Sequence, residues 1–146
     1  MKHRSRGFTL IELLVVVALV AIASGLATLA LRDPSATQLE HEAARLVALL
    51  ESARAEARAS GLDVHWEPRA QNSAEAQDFR FVGLPASSQM PQRWLTTGVK
   101  ADVVGSRSVV LGPEPLIGPQ RIVLSLEERH LTLATDGIGP FEVSTE

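Results

Sequence analysis

The sequence predicts an α+β chain, a long N-terminal helix followed only by short strands. Three observations predict it. An apolar run continues from Phe8 to Leu31 with Glu12 as its only charged residue. Apolar residues then recur three and four apart through Leu39, Ala43, Leu46, Leu50, Ala53 and Ala57. Beyond Gly61 the pattern changes to short period-two segments punctuated by glycine and proline.

The first run is long enough to matter to a membrane. Leu13 to Leu31 gives nineteen uncharged residues, about 28 Å at the helical rise of about 1.5 Å per residue. A hydrocarbon core is about 30 Å thick, so the run can span it once. Lys2, His3, Arg4 and Arg6 precede it with no acidic residue, and a basic flank of this kind stays in the cytoplasm. A plain anchor or a secretory signal peptide are the simplest readings. A signal peptide, however, ends on small residues after its apolar region. This run is too long for one, and it holds a carboxylate five residues after Gly7. A carboxylate at the bilayer centre costs about 2.5–3.5 kcal/mol, less near the interface. Glu12 therefore calls for a partner or a route to the headgroups, and before any cleavage the sequence offers no evident partner.

Proline disfavours helix at the residue before it, so a break or kink is expected near Asp33, with Pro34 in the first turn of a renewed helix that Asp33 could cap. The seam Leu39 to Ala57 then marks an amphipathic helix ending near Ser60-Gly61. Glu40, Glu42, Glu51, Arg54, Glu56 and Arg58 fall on its other faces. The seam is too short and too rich in alanine for a coiled coil, so packing on the chain's own sheet is expected.

Strands follow. Leu62, Val64 and Trp66 alternate with Asp63, His65 and Glu67, and Phe79 and Phe81 flank Arg80 before Gly83. The stretches 69–78 and 85–91 read as loops. Val99–Val104 and Ser108–Leu111 are strands around Gly105-Ser106-Arg107. Arg121–Leu126 and His130–Ala134 form a hairpin over Glu127-Glu128-Arg129, and Phe141–Val143 is the last strand.

Catalytic chemistry finds no support in these residues. His3, His41, His65 and His130 are scattered, with no metal-ligand spacing, and His65 and His130 fall on the polar phase of their strands, where solvated side chains are expected. No nucleophile elbow or phosphate-binding glycine loop is present. Glu127-Glu128 sits in a turn without a cleft. Asp136 is the only carboxylate in its stretch, whereas calcium takes six to eight oxygens, so no metal and no cofactor is expected. Cysteine is absent, which excludes disulfides. The chain carries 14 Lys+Arg against 17 Asp+Glu, a net charge of −3. Without Lys2, Arg4 and Arg6 this becomes 11 − 17 = −6, an acidic chain that repels a phosphate backbone, so nucleic acid is not an expected partner.

Gly7-Phe8-Thr9-Leu10-Ile11-Glu12, with the apolar residues to Val17, resembles the processing site of type IV pilins and type II secretion pseudopilins. The resemblance implies cleavage between Gly7 and Phe8 by a membrane aspartyl prepilin peptidase and N-methylation of Phe8. It also implies an assembly role for Glu12, the fifth residue of the mature chain, pairing with a freed terminal ammonium. The implied fold is pilin-like, a long helix on an antiparallel β-sheet domain. Its parts would be a leader over 1–7, a transmembrane and filament-core helix over 8–31, an amphipathic continuation over 32–60, and a periplasmic β-rich domain over 61–146.

The helix Ala43–Ala57 resembles those of the minor pseudopilin H (GspH) and FimT groups, and Leu131–Val143, with Gly139-Pro140-Phe141, resembles the C-terminal end of the former. This implies a non-enzymatic minor pseudopilin of a type II secretion system, at or near the pseudopilus tip. The chain would cross the inner membrane once. Its partners would be other minor pseudopilins, the major pseudopilin and the inner-membrane assembly platform. The alternative is a FimT-like minor pilin of a type IV pilus, active in pilus assembly or DNA uptake. The absence of Lys or Arg after Arg129 disfavours its DNA-binding form.

Overall fold

The computed structural model describes residues 9–30, 34–69 and 77–144, with side chains omitted over 26–30. It divides into two units, residues 1–33 and 34–146. The first contains helix α1, Leu10–Ala30, and the second everything else. The expected break at Asp33, the leader and most of the 69–78 loop lie outside the described residues.

Helix α2 runs Pro34–Ser60, 27 residues. Proline suits its first position, since its ring presets the helical φ and its missing N–H has no intrahelical partner to lose. Gly61 stops it at φ 63, and the Leu62 N–H bonds back to the Ala57 carbonyl at 3.0 Å. That is a Schellman cap, which only a residue at ease in the left-handed region closes without strain. The six seam residues, Leu39 to Ala57, are all buried.

The strands are β1 Val64–Pro68, β2 Phe79–Val82, β3 Lys100–Val103, β4 Val109–Gly112, β5 Gln120–Leu126, β6 Arg129–Thr135 and β7 Glu142–Ser144, with a short 3-10 turn at Ala86–Ser88. They make two antiparallel sheets, in the orders β2-β1-β4 and β3-β5-β6-β7. The α+β class holds, as a helix on antiparallel sheet, but the sheet is two. Sequence neighbours β3 and β4 do not pair: β3 joins β5, whereas β4 joins β1. The expected hairpin of β5 and β6 forms, with Leu126 opposite Arg129 and Glu127-Glu128 alone in the turn.

α2 packs across β1, β4, β5 and β6. It comes close at Gly112, where an added Cβ would lie 2.7 Å from the Ala57 side chain. The core joins this seam to Trp66, Phe79, Leu111, Ile122, Leu124, Leu133 and Phe141. Phe79 stacks at 4.7 Å on Trp94, which carries the irregular segment after β2 over the core.

Two expectations about exposure are corrected. Glu42 and Arg54, assigned to solvated faces of α2, are each only 2% exposed. They flank the seam, and loops folding over the helix cover them. His65 is half-buried, its Nε2 2.9 Å from Asp63, because β2 and β4 pair on both sides of β1. His130 is exposed, as expected.

Candidate functional site

Two places concentrate polar organisation, one in each unit. The first is the start of α1. Gly7 and Phe8 lie outside the described residues, but Thr9 and Glu12 do not. The Glu12 N–H donates to Thr9 Oγ1 at 3.3 Å, while Glu12 Oε2 accepts from the Thr9 N–H at 3.2 Å and from its hydroxyl at 3.1 Å. This is a capping box, in which the N-cap side chain and the carboxylate three residues on satisfy each other's backbone amides. Glu12 also sits where the positive end of the helix dipole favours a carboxylate. The expectation that the unprocessed chain offers it no evident partner is corrected: Thr9 is that partner. Its signal was in the sequence, since threonine, two residues and an acid ahead of an apolar run is the capping-box pattern.

Along α1 the described apolar side chains are exposed, Leu10 at 78% and Leu14 at 60%. Among the residues described in full no helix is long and apolar enough to cross a membrane; in α1 those residues stop at Gly25. The helical backbone continues to Ala30, 21 residues in all, or about 31 Å.

The second place is the loop between β6 and β7. Arg54 aims its guanidinium at three main-chain carbonyls, Gly139 at 2.7 Å, Gly137 at 2.8 Å and Ile138 at 3.4 Å. Glu51, one turn earlier on α2, accepts from the Phe141 N–H at 3.1 Å. Within the loop, Asp136 accepts from the Ile138 and Gly139 amides at 2.9 and 2.7 Å. The bonds from Gly139, then Ile138, hold the Asp136 carboxyl below its ordinary pKa. Gly137 adopts φ 92 with its backbone against Gly118, leaving no room for a Cβ. Arg58 reaches the Pro115 carbonyl at 3.1 Å, and Glu42 accepts from the Thr96 N–H at 2.6 Å. The charged residues of α2 thus clamp three separate loops by their backbones. Sequence reasoning missed this, because such bonds go to carbonyls and amides far along the chain.

Glu127 and Glu128 are exposed in their turn, as is His130, and His65 is half-buried on β1. No group of three or more His, Asp or Glu able to hold a metal occurs among the described residues. An open groove of about 820 Å³ runs past Arg45, Met90, Arg93, Trp94 and Leu95.

Residues 2–28 match the family described as the prokaryotic N-terminal methylation motif. No curated protein matches the chain. Among solved structures, the type IV minor pilin FimU of Pseudomonas aeruginosa PAO1 aligns with a TM-score of 0.54 at 14% identity, covering 74% of this chain and 89% of that one. The chain therefore carries the N-terminal methylation motif of type IV pilin-like proteins and shares its fold with a type IV minor pilin.

Proposed function

We propose that this chain is a minor pilin-like subunit, processed at its N-terminus and assembled through α1 into a short filament built from the inner membrane. The observation that carries the reading is α1 itself, apolar side chains exposed along its described length with Glu12 its only charge. Such a surface is stable only in lipid or against other apolar helices. Prepilin peptidase cleaves between Gly7 and Phe8, Phe8 is methylated, and Glu12 sets the register between neighbouring subunits. The clamped β domain faces the periplasm and meets the other subunits there.

Within this reading the finer assignment is a minor pseudopilin of a type II secretion system, near the pseudopilus tip. Its partners are the other minor pseudopilins, the major pseudopilin and the assembly platform. The helix Ala43–Ala57 and the Gly139-Pro140-Phe141 turn support it. A minor pilin of a type IV pilus is the second reading, favoured by the fold shared with FimU.

The test is N-terminal sequencing and intact mass of the membrane-borne protein, with and without prepilin peptidase. A chain beginning at methylated Phe8 only when the peptidase is present is the expected result. A chain beginning at Met1 in both samples would overturn the reading. Deleting the gene then separates the two systems, through loss of exported protein in one case and loss of pili in the other.

A further inference from the structure

β4 ends the three-stranded sheet, so backbone groups on its side away from β1 face no strand. At Val110 one side chain takes both. The Val110 N–H donates to Gln120 Oε1 at 2.7 Å, and Gln120 Nε2 donates to the Val110 carbonyl at 2.9 Å. A carboxamide offers one acceptor and an N–H donor on a planar unit, as a peptide group does. The pair of bonds reproduces what an opposing residue would make in an antiparallel ladder. Gln120 belongs to the other sheet, as the first residue of β5.

A second observation bears on what this does. The two sheets end in β2, β4, β3 and β7. Three of these carry charge, Arg80 in β2, Lys100 and Asp102 in β3, and Glu142 in β7. Charged side chains are a common means of keeping an exposed edge from pairing with another chain. β4 reads Val109-Val110-Leu111-Gly112, with no charge and two β-branched strand formers, Val109 and Val110. It is the edge without charge, and it is the one where the N–H and C=O of a residue, Val110, are occupied by a side-chain amide.

We propose that Gln120 acts as a surrogate strand residue, tying the two sheets together and closing the β4 edge against a second copy of this chain. The occupant it excludes is another copy because an apolar, uncharged strand can pair antiparallel with itself about a two-fold axis, without like charges meeting.

The experiment uses the full chain in detergent micelles and reads two quantities, the exchange rate of the Val110 amide by NMR and the oligomeric state by sedimentation. Gln120→Leu keeps the side-chain volume and removes both bonds. The Val110 amide is expected to exchange about tenfold faster in this variant or more, with the β5–β6 amides unchanged. The variant should also self-associate with rising concentration, and adding Val110→Lys should return it to the wild-type state. Unchanged protection of Val110, or association that survives Val110→Lys, would overturn the proposal. Should Gln120→Leu lose its fold, Gln120→Asn decides. One methylene shorter, it cannot hold both groups, so wild-type exchange at Val110 in that variant would equally overturn it.

Discussion

α1 and α2 are long helices of one chain, 21 and 27 residues, and their apolar side chains meet opposite fates. Leu14 on α1 is 60% exposed, whereas Leu46 on α2 is fully buried. The more hydrophobic helix is the uncovered one. α2 has a narrow seam because its partner is a sheet from the same chain, and its remaining faces can be charged. α1 is apolar on every side, a pattern suited to surroundings that are apolar in all directions. The two helices thus record different solvents, one supplied by the chain and the other from outside it.

The sharpest way to break the contrast is one truncation on each helix. Leu46→Ala should lower the stability of the β-containing unit by about 2–5 kcal/mol, the cost of a buried leucine and the cavity it leaves. Leu14→Ala should leave that stability unchanged, as read by denaturant unfolding in detergent. Equal losses would mean that α1 is part of the same core.

Next in size is Arg54→Met, which keeps much of the buried volume and removes the guanidinium bonds to Gly137 and Gly139, leaving their carbonyls only the Ile117 N–H at 3.4 Å and the Thr135 hydroxyl at 2.9 Å. A loss of about 1.5–3 kcal/mol is expected, the usual worth of hydrogen bonding to a charged group. Amide exchange should rise in β7 before it rises in β5. Uniform loosening of the fold would count against a local clamp.

On α1 the matching polar feature is smaller. Thr9→Ala removes one half of the capping box, worth about 1 kcal/mol at a helix start. Faster exchange confined to the first turn, at Glu12 above all, is the expected reading. The mildest perturbation is acid. The Asp136 carboxyl is held below its ordinary value, so its contribution is fully present above the unfolded carboxylate value, about 3.9. It is lost as pH falls through the lowered folded value. The loop amides of Ile138 and Gly139 should therefore lose protection only at the acid end of a titration, and Asp136→Asn should flatten that response.

The seam of α2 was legible because burial repeats with the helical period, and each residue from Leu39 to Ala57 lies where that period puts it. The β5–β6 hairpin was legible from local alternation around a turn. Strand partnership was less so: β3 and β4 are neighbours in sequence, yet each pairs with a strand remote from the other. Glu42 and Arg54 were misread because a charged side chain on a helix normally signals solvent. Here the groups covering them are the Thr96 amide and the carbonyls of Gly137 to Gly139. Every residue carries such groups, so no side-chain pattern announces them. The capping box at Thr9 and Glu12 was different. Its pattern was visible, and the weight given to a distant partner for Glu12 hid the near one.

The clamps along α2 also have a mechanical meaning. Glu42, Glu51, Arg54 and Arg58 fasten the helix to loops at successive heights, beside a seam buried along the same length. A pull that enters at the Pro34 end and runs along the helix axis loads these attachments side by side. They must yield together, and the force needed is far above that for peeling them one at a time. A helix fastened in this way resists being stripped from its own sheets by a load along its axis.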